Sequence, residues 1–575
     1  MNPLLERIRL KLANVDALLL LSFLGLISGL LAGAVILAFR FAIEASQGSF
    51  LAVNDHYEVL SWQIRLLLPI AGGIVIGLIL KALSKELRMV GVVHVLERLN
   101  YHEGQLPWRN AVLQFVGAAI SIISGHSVGR EGPGVHLGAA SGSLLGQSLH
   151  LPNNSTRTLV ACGCAAAIAA SFNTPLAGVI FAMEVIMMEY TIASFTPVIL
   201  AAVSATVLTR LVYGVDPAFS VPLFELASLL EMPWIVVMGI VIGGLAALFN
   251  TLLKHASGWL SQSSILLRCS LAGVITGLIA LVFPQIMGIG YDTVTAAMLG
   301  QLGIGLLAGI LVAKLLATTA SIGLGIPGGL IAPVLFIGAI AGGILGAIGQ
   351  IVLPDTSAGV GLYVMLGMAA MMAATLQAPL AALMALLELT GNPNIILPGM
   401  LAVIAATLTS SELFGREGVF VMLLRSRGLD YRSDPVAQTL RRIGVTSQMS
   451  QDFARHGQFL PNANAAEFLA NSPRWIIVEI DSKPVALLAV GDLQRYLEDP
   501  ELDRDADIDL LEIPAERLQI TGINRRATLQ EALQQLDREQ AEALYVWRTG
   551  ISQAHHIEGI ITRATIHTAQ QGVSG

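Results

Sequence analysis

Cysteine is almost missing from the chain. Three stand among 575 residues: Cys162, Cys164 and Cys269. An odd, sparse set inside apolar stretches excludes a disulfide framework. Cys162-Gly163-Cys164 has no histidine or acid beside it, so it reads as small-residue packing rather than a metal pair. Charge is scarce as well. Asp, Glu, Lys and Arg make 13% of the chain, against about 25% in a soluble domain. A basic surplus is absent: the net charge is −7, which excludes the electrostatic footprint of a nucleic-acid binder. What is present instead is apolar. Hydrophobic residues make 54%, and there are 57 glycines. That combination reads as a polytopic helical membrane protein, where glycine is common inside spanning helices.

The few charges are unevenly placed. Residues 1–429 carry 19 acidic and 19 basic residues, and 430–575 carry 21 and 14. The first part is neutral overall and the second holds the whole −7. The expected fold is an all-α polytopic membrane domain over 1–428, followed by an acidic α+β cytoplasmic tail over 429–575. Arg7, Arg9 and Lys11 precede an apolar run over 17–39. That run exceeds a signal-peptide core of about 7–15 residues and is long enough to span. Its basic flank puts the N-terminus in the cytoplasm, together with the tail, so the expected location is a plasma or inner membrane. Several later apolar stretches are too short to cross about 30 Å of hydrocarbon. Gly and Pro interrupt them near 129–134, 175, 325–333 and 379. Broken helices at that depth are tolerated only where backbone is buried or lines a cavity.

Self-similarity is the strongest signal. At an offset of 200, Gly129/Gly329, Pro133/Pro333, Gly138/Gly338, Gly142/Gly342 and Gly146/Gly346 match in one ungapped register. A second block, at offset 204, pairs Gly163 with Gly367, Pro175-Leu176-Ala177 with Pro379-Leu380-Ala381, and Glu184 with Glu388. Two halves with matching interrupted helices point to an inverted-repeat transporter. The repeat also gives a physical site. Gly-rich turns followed by helices aim backbone N–H groups at one place, and such N-termini hold anions. Glu131 sits among those donors as a tethered anion that competes with a diffusing one.

Gly129-Arg130-Glu131-Gly132-Pro133, Phe172-Asn173-Thr174-Pro175-Leu176-Ala177-Gly178 and Gly325-Ile326-Pro327-Gly328-Gly329-Leu330-Ile331-Ala332-Pro333 resemble the CLC family of chloride channels and chloride/proton antiporters. The resemblance covers about residues 15–428. It implies a homodimer in the lipid bilayer, with one anion pore per subunit and Glu131 as the gate. It also implies an anion-binding set of Val90, Gly129, Arg130, Gly132, Gly329, Leu330, Ile331 and Phe420. Chloride or another small anion is the implied cargo, with protons in the antiporter members.

Departures from the family pattern carry information. Val90 stands where the family has an anion-binding serine, Phe420 where it has a tyrosine, and Ile331 where it has a phenylalanine. Family antiporters carry two adjacent glutamates where this chain has Glu184-Val185, so the usual inner proton carrier is replaced by valine. Glu184 and Glu189 remain as candidates for a proton path, and Glu184 and Glu388 equally suit helix-end capping. The favoured reading is a Glu-gated channel, with a proton-coupled antiporter as the alternative. A membrane-bound sensor without transport is the reading from another class. No enzyme, catalytic residue or metal site is expected.

The tail resembles a tandem pair of CBS domains over about 443–497 and 511–568. Apolar strands at 485–490 and 557–561 each lead into a short polar segment, and 499–509 reads as an acidic linker. Asp492 suits an adenine-nucleotide site, but Thr565 stands in the second copy, which favours a structural tail without cofactor. Two motifs compete and lose. Gly125-His126-Ser127-Val128-Gly129 matches a hydrolase nucleophile elbow but lacks the soluble parallel sheet and the downstream acid and histidine. Gly303-Ile304-Gly305 lacks a βαβ unit. His94, His126 and His136 read as packing residues.

Overall fold

The computed structural model describes residues 3–13, 17–53, 55–190, 192–214, 228–352, 358–429, 435–462, 465, 473–498, 507–549 and 555–572. Two compact units emerge. One holds 21–147 and 157–432; the other joins 1–20 and 148–156 to 433–575.

Helix α1, Pro3–Leu12, belongs to the tail unit. The membrane unit follows with α2 (Leu18–Gln47), α3 (Trp62–Lys81), α4 (Val92–Tyr101), α5 (Trp108–Ile123), α6 (Glu131–Ser148), α7 (Asn153–Phe172), α8 (Pro175–Phe181) and α9 (Ile192–Tyr213). A second set repeats the first: α10 (Met232–Gly258), α11 (Ile265–Val282), α12 (Tyr291–Met298), α13 (Ile304–Gly323), α14 (Ile331–Val352), α15 (Val360–Leu376), α16 (Pro379–Thr390) and α17 (Ile396–Leu408). Helix α18, Val419–Ser426, closes the unit. Among the described residues, nine helices are long and apolar enough to cross a membrane. Helices α5, α15 and α16 are shorter, as the interrupted stretches imply.

The repeat is symmetric down to single atoms. Gly125 and Gly325 both take positive φ, +74° and +99°, and end α5 and α13 with the same turn. His126 N donates to Ser121 O at 3.1 Å, and Ile326 N to Ser321 O at 3.0 Å. Glycine sits where backbones touch. A Cβ on Gly73 would lie 2.4 Å from the Cys269 carbonyl oxygen, and one on Gly273 2.4 Å from that of Pro69. Gly138 faces Gly163 and Gly338 faces Gly367 in the same way. Small residues allow this approach, which replaces the hydrophobic effect as the source of helix association in lipid. At the centre, Gly129 and Gly329 exchange both backbone hydrogen bonds, 2.7 and 2.8 Å, as an antiparallel bridge between the halves.

The tail unit is a sheet flanked by helices. Its strands are β1 (Phe453–Gly457), β2 (Phe459–Leu460), β3 (Trp475–Ile480), β4 (Lys483–Ala489), β5 (Ile508–Asp509), β6 (Arg517–Asn524), β7 (Ala543–Thr549) and β8 (His555–Thr562). Six of them form one sheet in the order β1-β3-β4-β6-β7-β8. β1 pairs parallel with β3 and antiparallel follows at β4; β6, β7 and β8 repeat that scheme. Each half buries its own apolar cluster, around Leu488 and around Leu544. Helices α19 (Pro435–Arg442), α20 (Val490–Leu497), α21 (Leu529–Glu539) and α22 (Arg563–Gly572) cover it. Thr528 and Glu531 form a reciprocal capping box at the start of α21. The duplicated scheme is compatible with a CBS pair. Asp492 lies in α20 and pairs with Arg495 at 3.4 Å. Most of the expected 499–509 linker lies outside the described residues.

Candidate functional site: a buried glutamate between two cavities

Two cavities lie on opposite faces of the membrane unit. The first, about 340 Å³, is lined by the end of α2 at Arg40, Glu44 and Gln47. The second, about 660 Å³, is lined by the end of α3 at Leu80 and by Lys85 and Arg88 beyond it. Successive spans run in opposite directions, so their ends mark opposite faces. Arg130 lines the first cavity and Gly132 the second. Glu131, between them, is fully buried and lines neither.

The Glu131 carboxylate is held by side chains and by backbone amides. Tyr291 Oη donates to Oε1 at 2.8 Å, and Arg130 Nε lies 3.8 Å from the same oxygen. The carboxylate also lies against the backbone amides of Glu131 itself and of Ala332, in the first turn of α14. A Cβ on Gly129 would come within 2.5 Å of Oε2, which is why glycine precedes the gate. Tyr291 is a residue that the sequence pattern did not single out. It is the first residue of α12, and the loop before it is fastened twice. Asp55 accepts from the amides of Ile289 and Gly290 at 3.1 and 2.8 Å. Lys314 Nζ donates to the carbonyls of Ile286 and Gly288, both at 3.0 Å. Burial, only partly offset by those two amides and the Lys314 charge, pushes the Asp55 carboxyl up to about 6.

The expected anion-binding set is split by the structure. Val90, Gly132, Gly329, Leu330 and Phe420 line the second cavity together. The starts of α4, α6, α14 and α18 therefore converge there, with their unpaired N–H groups. Gly129 is committed to the bridge, Arg130 faces the first cavity, and Ile331 is buried in the first turn of α14. None of these three lines the second cavity. Lys85, Arg88, Arg268 and Arg427 do, and among the described residues no acidic one is in its lining.

Glu184 sits in a π-helical turn, Ala182–Met187, that continues α8. Its two oxygens accept from Leu380 N and Ala381 N, at 3.1 and 2.7 Å, at the start of α16. Glu388 accepts from Leu176 N and Ala177 N, at 2.9 and 2.8 Å, at the start of α8. Each half thus caps the other, with proline at the first helical position. Val185 is buried, and Glu189 lies half-buried beyond the turn and lines neither cavity. Glu184→Ala and Glu388→Ala are each expected to cost about 1.5–3 kcal/mol, the worth of hydrogen bonds to a charged group. Thermal unfolding in detergent checks this; a midpoint unchanged in both variants refutes the capping role.

The competing motifs dissolve in the structure. Ser127 Oγ bonds Thr318 Oγ1 at 2.8 Å rather than a histidine. His94 Nδ1 and His136 Nε2 are paired at 2.9 Å inside the core.

A family model described as voltage-gated chloride channel matches residues 72–411, the span that holds Glu131 and most of the second cavity's lining. The chain belongs to the CLC family. A ClcB-like chloride channel protein from Ralstonia nicotianae is 33% identical over 66% of this chain and 90% of its own length. The H(+)/Cl(−) exchange transporter ClcA of Vibrio cholerae is 31% identical over 55% of this chain and 69% of its own. The fold is shared with a slow cyanobacterial Cl−/H+ antiporter, at TM-score 0.63 and 24% identity, covering 71% of this chain and 97% of that one. It is also shared with a eukaryotic CLC transporter, at TM-score 0.61 and 18% identity, covering 95% and 97%. As a CLC protein the chain is an integral membrane anion transporter and not an enzyme.

Proposed function

We propose that this CLC protein conducts chloride passively through a Glu131-gated pore, one in each subunit of a homodimer, with residues 1–428 as the transport domain and 429–575 as a cytoplasmic tail of CBS type. With the N-terminus in the cytoplasm, the first cavity is the outer mouth and the second the inner one. The observation that carries the passive reading is the inner lining. It offers four cationic side chains and converging helix N-termini to an anion, and among the described residues no carboxylate to a proton. Val185 cannot carry a proton, and both Glu184 oxygens are engaged by amides. Val90 and Phe420 present no hydroxyl to a central anion. Each missing hydrogen bond to a charged group removes roughly 1.5–3 kcal/mol, so the central ion is held weakly and passes quickly.

A second reading, proton-coupled exchange, is favoured by the exchangers among the relatives. One experiment separates the two. Reconstituted vesicles with a chloride gradient are expected to show chloride flux and no uphill proton uptake. Proton uptake at a fixed ratio to chloride overturns the channel reading. The homodimer is what the family resemblance implies, with the helices after Pro175 and Pro379 as its contact. Cross-linking in detergent checks it.

A further inference from the structure

We propose that a cavity inside the tail unit, between α1, the turn at 148–152 and the second half of the sheet, binds a phosphorylated ligand carrying at least two negative charges. The cavity encloses about 410 Å³, within the range of small-ligand sites. Arg9, Arg525, Arg526 and Arg548 line it, together with Glu6 and His150. The concentration runs against the local composition. Residues 430–575 hold 14 basic residues against 21 acidic ones, yet three of those 14 meet here and a fourth arginine arrives from α1.

Two carboxylates brace this cluster without neutralising it. Glu6 accepts from Arg9 at 3.3 Å and pairs with Arg525 at 3.1 Å. Glu558 pairs with Arg525 at 3.1 Å and with Arg548 at 3.2 Å. Among the described residues, the lining itself sets four guanidinium groups against one carboxylate, Glu6. Converged like charges repel, and a bound anion removes that cost. Guanidinium is the fitting group: its planar fork engages phosphate oxygens in pairs, and bracing lowers the entropy lost on binding.

The backbone is fixed as well. Arg525 N donates to Trp547 O at 3.1 Å, Arg526 N to Asn524 Oδ1 at 3.0 Å, and Asn153 N to Arg526 O at 2.9 Å. This cavity is separate from the tail positions first considered for a nucleotide, since neither Asp492 nor Thr565 lines it. A doubly charged phosphate reaches such a site from a soluble nucleotide or from a lipid headgroup. In either case the ligand grips the 148–152 turn, which is covalently continuous with α6, the helix that begins at Glu131.

The test uses the full-length protein in detergent and reads its thermal unfolding midpoint. The probes are pyrophosphate, ATP, dioctanoyl phosphatidate and, as a neutral control, dioctanoyl phosphatidylcholine. At millimolar concentration at least one phosphate probe is expected to raise the midpoint by about 2–5 °C, as mass action requires for binding to the folded state alone. A rise with pyrophosphate or ATP identifies a soluble ligand; a rise with phosphatidate alone identifies a headgroup. Arg526→Gln/Arg548→Gln is expected to weaken binding at least about tenfold, the loss of one charge-assisted contact. Arg538→Gln, on an exposed side chain far from the lining, is expected to keep it. Arg548→Gln alone, on the most exposed of the paired arginines, serves if the double variant does not fold. The proposal is overturned if no phosphate probe shifts the wild type, or if the shift survives in the pocket variants.

Discussion

Glu131→Gln is expected to abolish the pH dependence of anion flux while leaving the fold intact. In the wild type the buried carboxylate lies between the cavities, tied at Oε1 to Tyr291 and set against the amides at the start of α14. Ionised, it competes with a travelling anion for the helix N-termini; protonated, it loses that attraction. For a single titrating gate, the open population falls about tenfold for each pH unit above its pKa. Glutamine copies the neutral form at every pH. Flux from vesicles between about pH 4.5 and 8 should therefore rise toward acid in the wild type and stay flat in the variant. At the alkaline end the variant should exceed the wild type by about one order of magnitude or more. The unfolding midpoint serves as the control for folding. A variant with the wild-type pH profile removes Glu131 from the mechanism.

Gly163→Val is expected to prevent assembly of the membrane unit. Even a Cβ at this position would lie 1.9 Å from the Gly138 carbonyl oxygen, and the obstacle is backbone. Neither α6 nor α7 can yield locally, because Gly138 meets Gly163 in return and the next approach is as tight: a Cβ on Gly142 would lie 2.0 Å from the Leu159 carbonyl oxygen. Overpacking usually costs about 1–3 kcal/mol where side chains can move, so a clash with fixed backbone exceeds that range. Gly305→Ala is the matched control. It too lies in a helix, but a Cβ there meets nothing within 4 Å. It is expected to be neutral or to stabilise by about 0.5–1 kcal/mol. Size-exclusion profiles and unfolding midpoints check both. A monodisperse, wild-type-like Gly163→Val refutes the packing argument.

Those glycines explain why so much of the membrane fold was legible. A contact between two backbones leaves a gap in the side-chain record, and a duplicated fold leaves it twice. The match of Gly138 with Gly338 and of Gly163 with Gly367 is therefore a contact map written in composition. Glu131 was legible because it interrupts that record with a charge. The double capping by Glu184 and Glu388 was half legible: their symmetry suggested it, but the amides that they reach lie about 200 positions away. Tyr291 and Lys314 were not found, since a single polar residue in an apolar stretch has no period. The offset of 200 nevertheless marks them. Tyr291 stands opposite Gly91, Lys314 opposite Gln114, and Glu131 opposite Ile331. Where the copies agree, the residues build the scaffold; where they differ, they surround the gate. In the tail, the strands at Lys483–Ala489 and His555–Thr562 fall on the apolar runs 485–490 and 557–561, except that Val490 already opens α20. The arginine cavity was invisible, because it gathers residues from positions 9 to 548.

The bridge between Gly129 and Gly329 also limits how this protein can move. Transporters that alternate by rocking need their halves to part at the substrate site. Here the halves are stitched by paired backbone hydrogen bonds immediately beside the gate, at 2.7 and 2.8 Å, with no side chain to slide past. A fulcrum cannot open at the point where it is sewn shut. On the proposed gating role of Glu131, passage is left to the swing of one carboxylate and the breathing of the cavity walls, so crossing should demand little backbone displacement. Spin labels on α6 and α14 should therefore keep their separation whether the pore is conducting or closed.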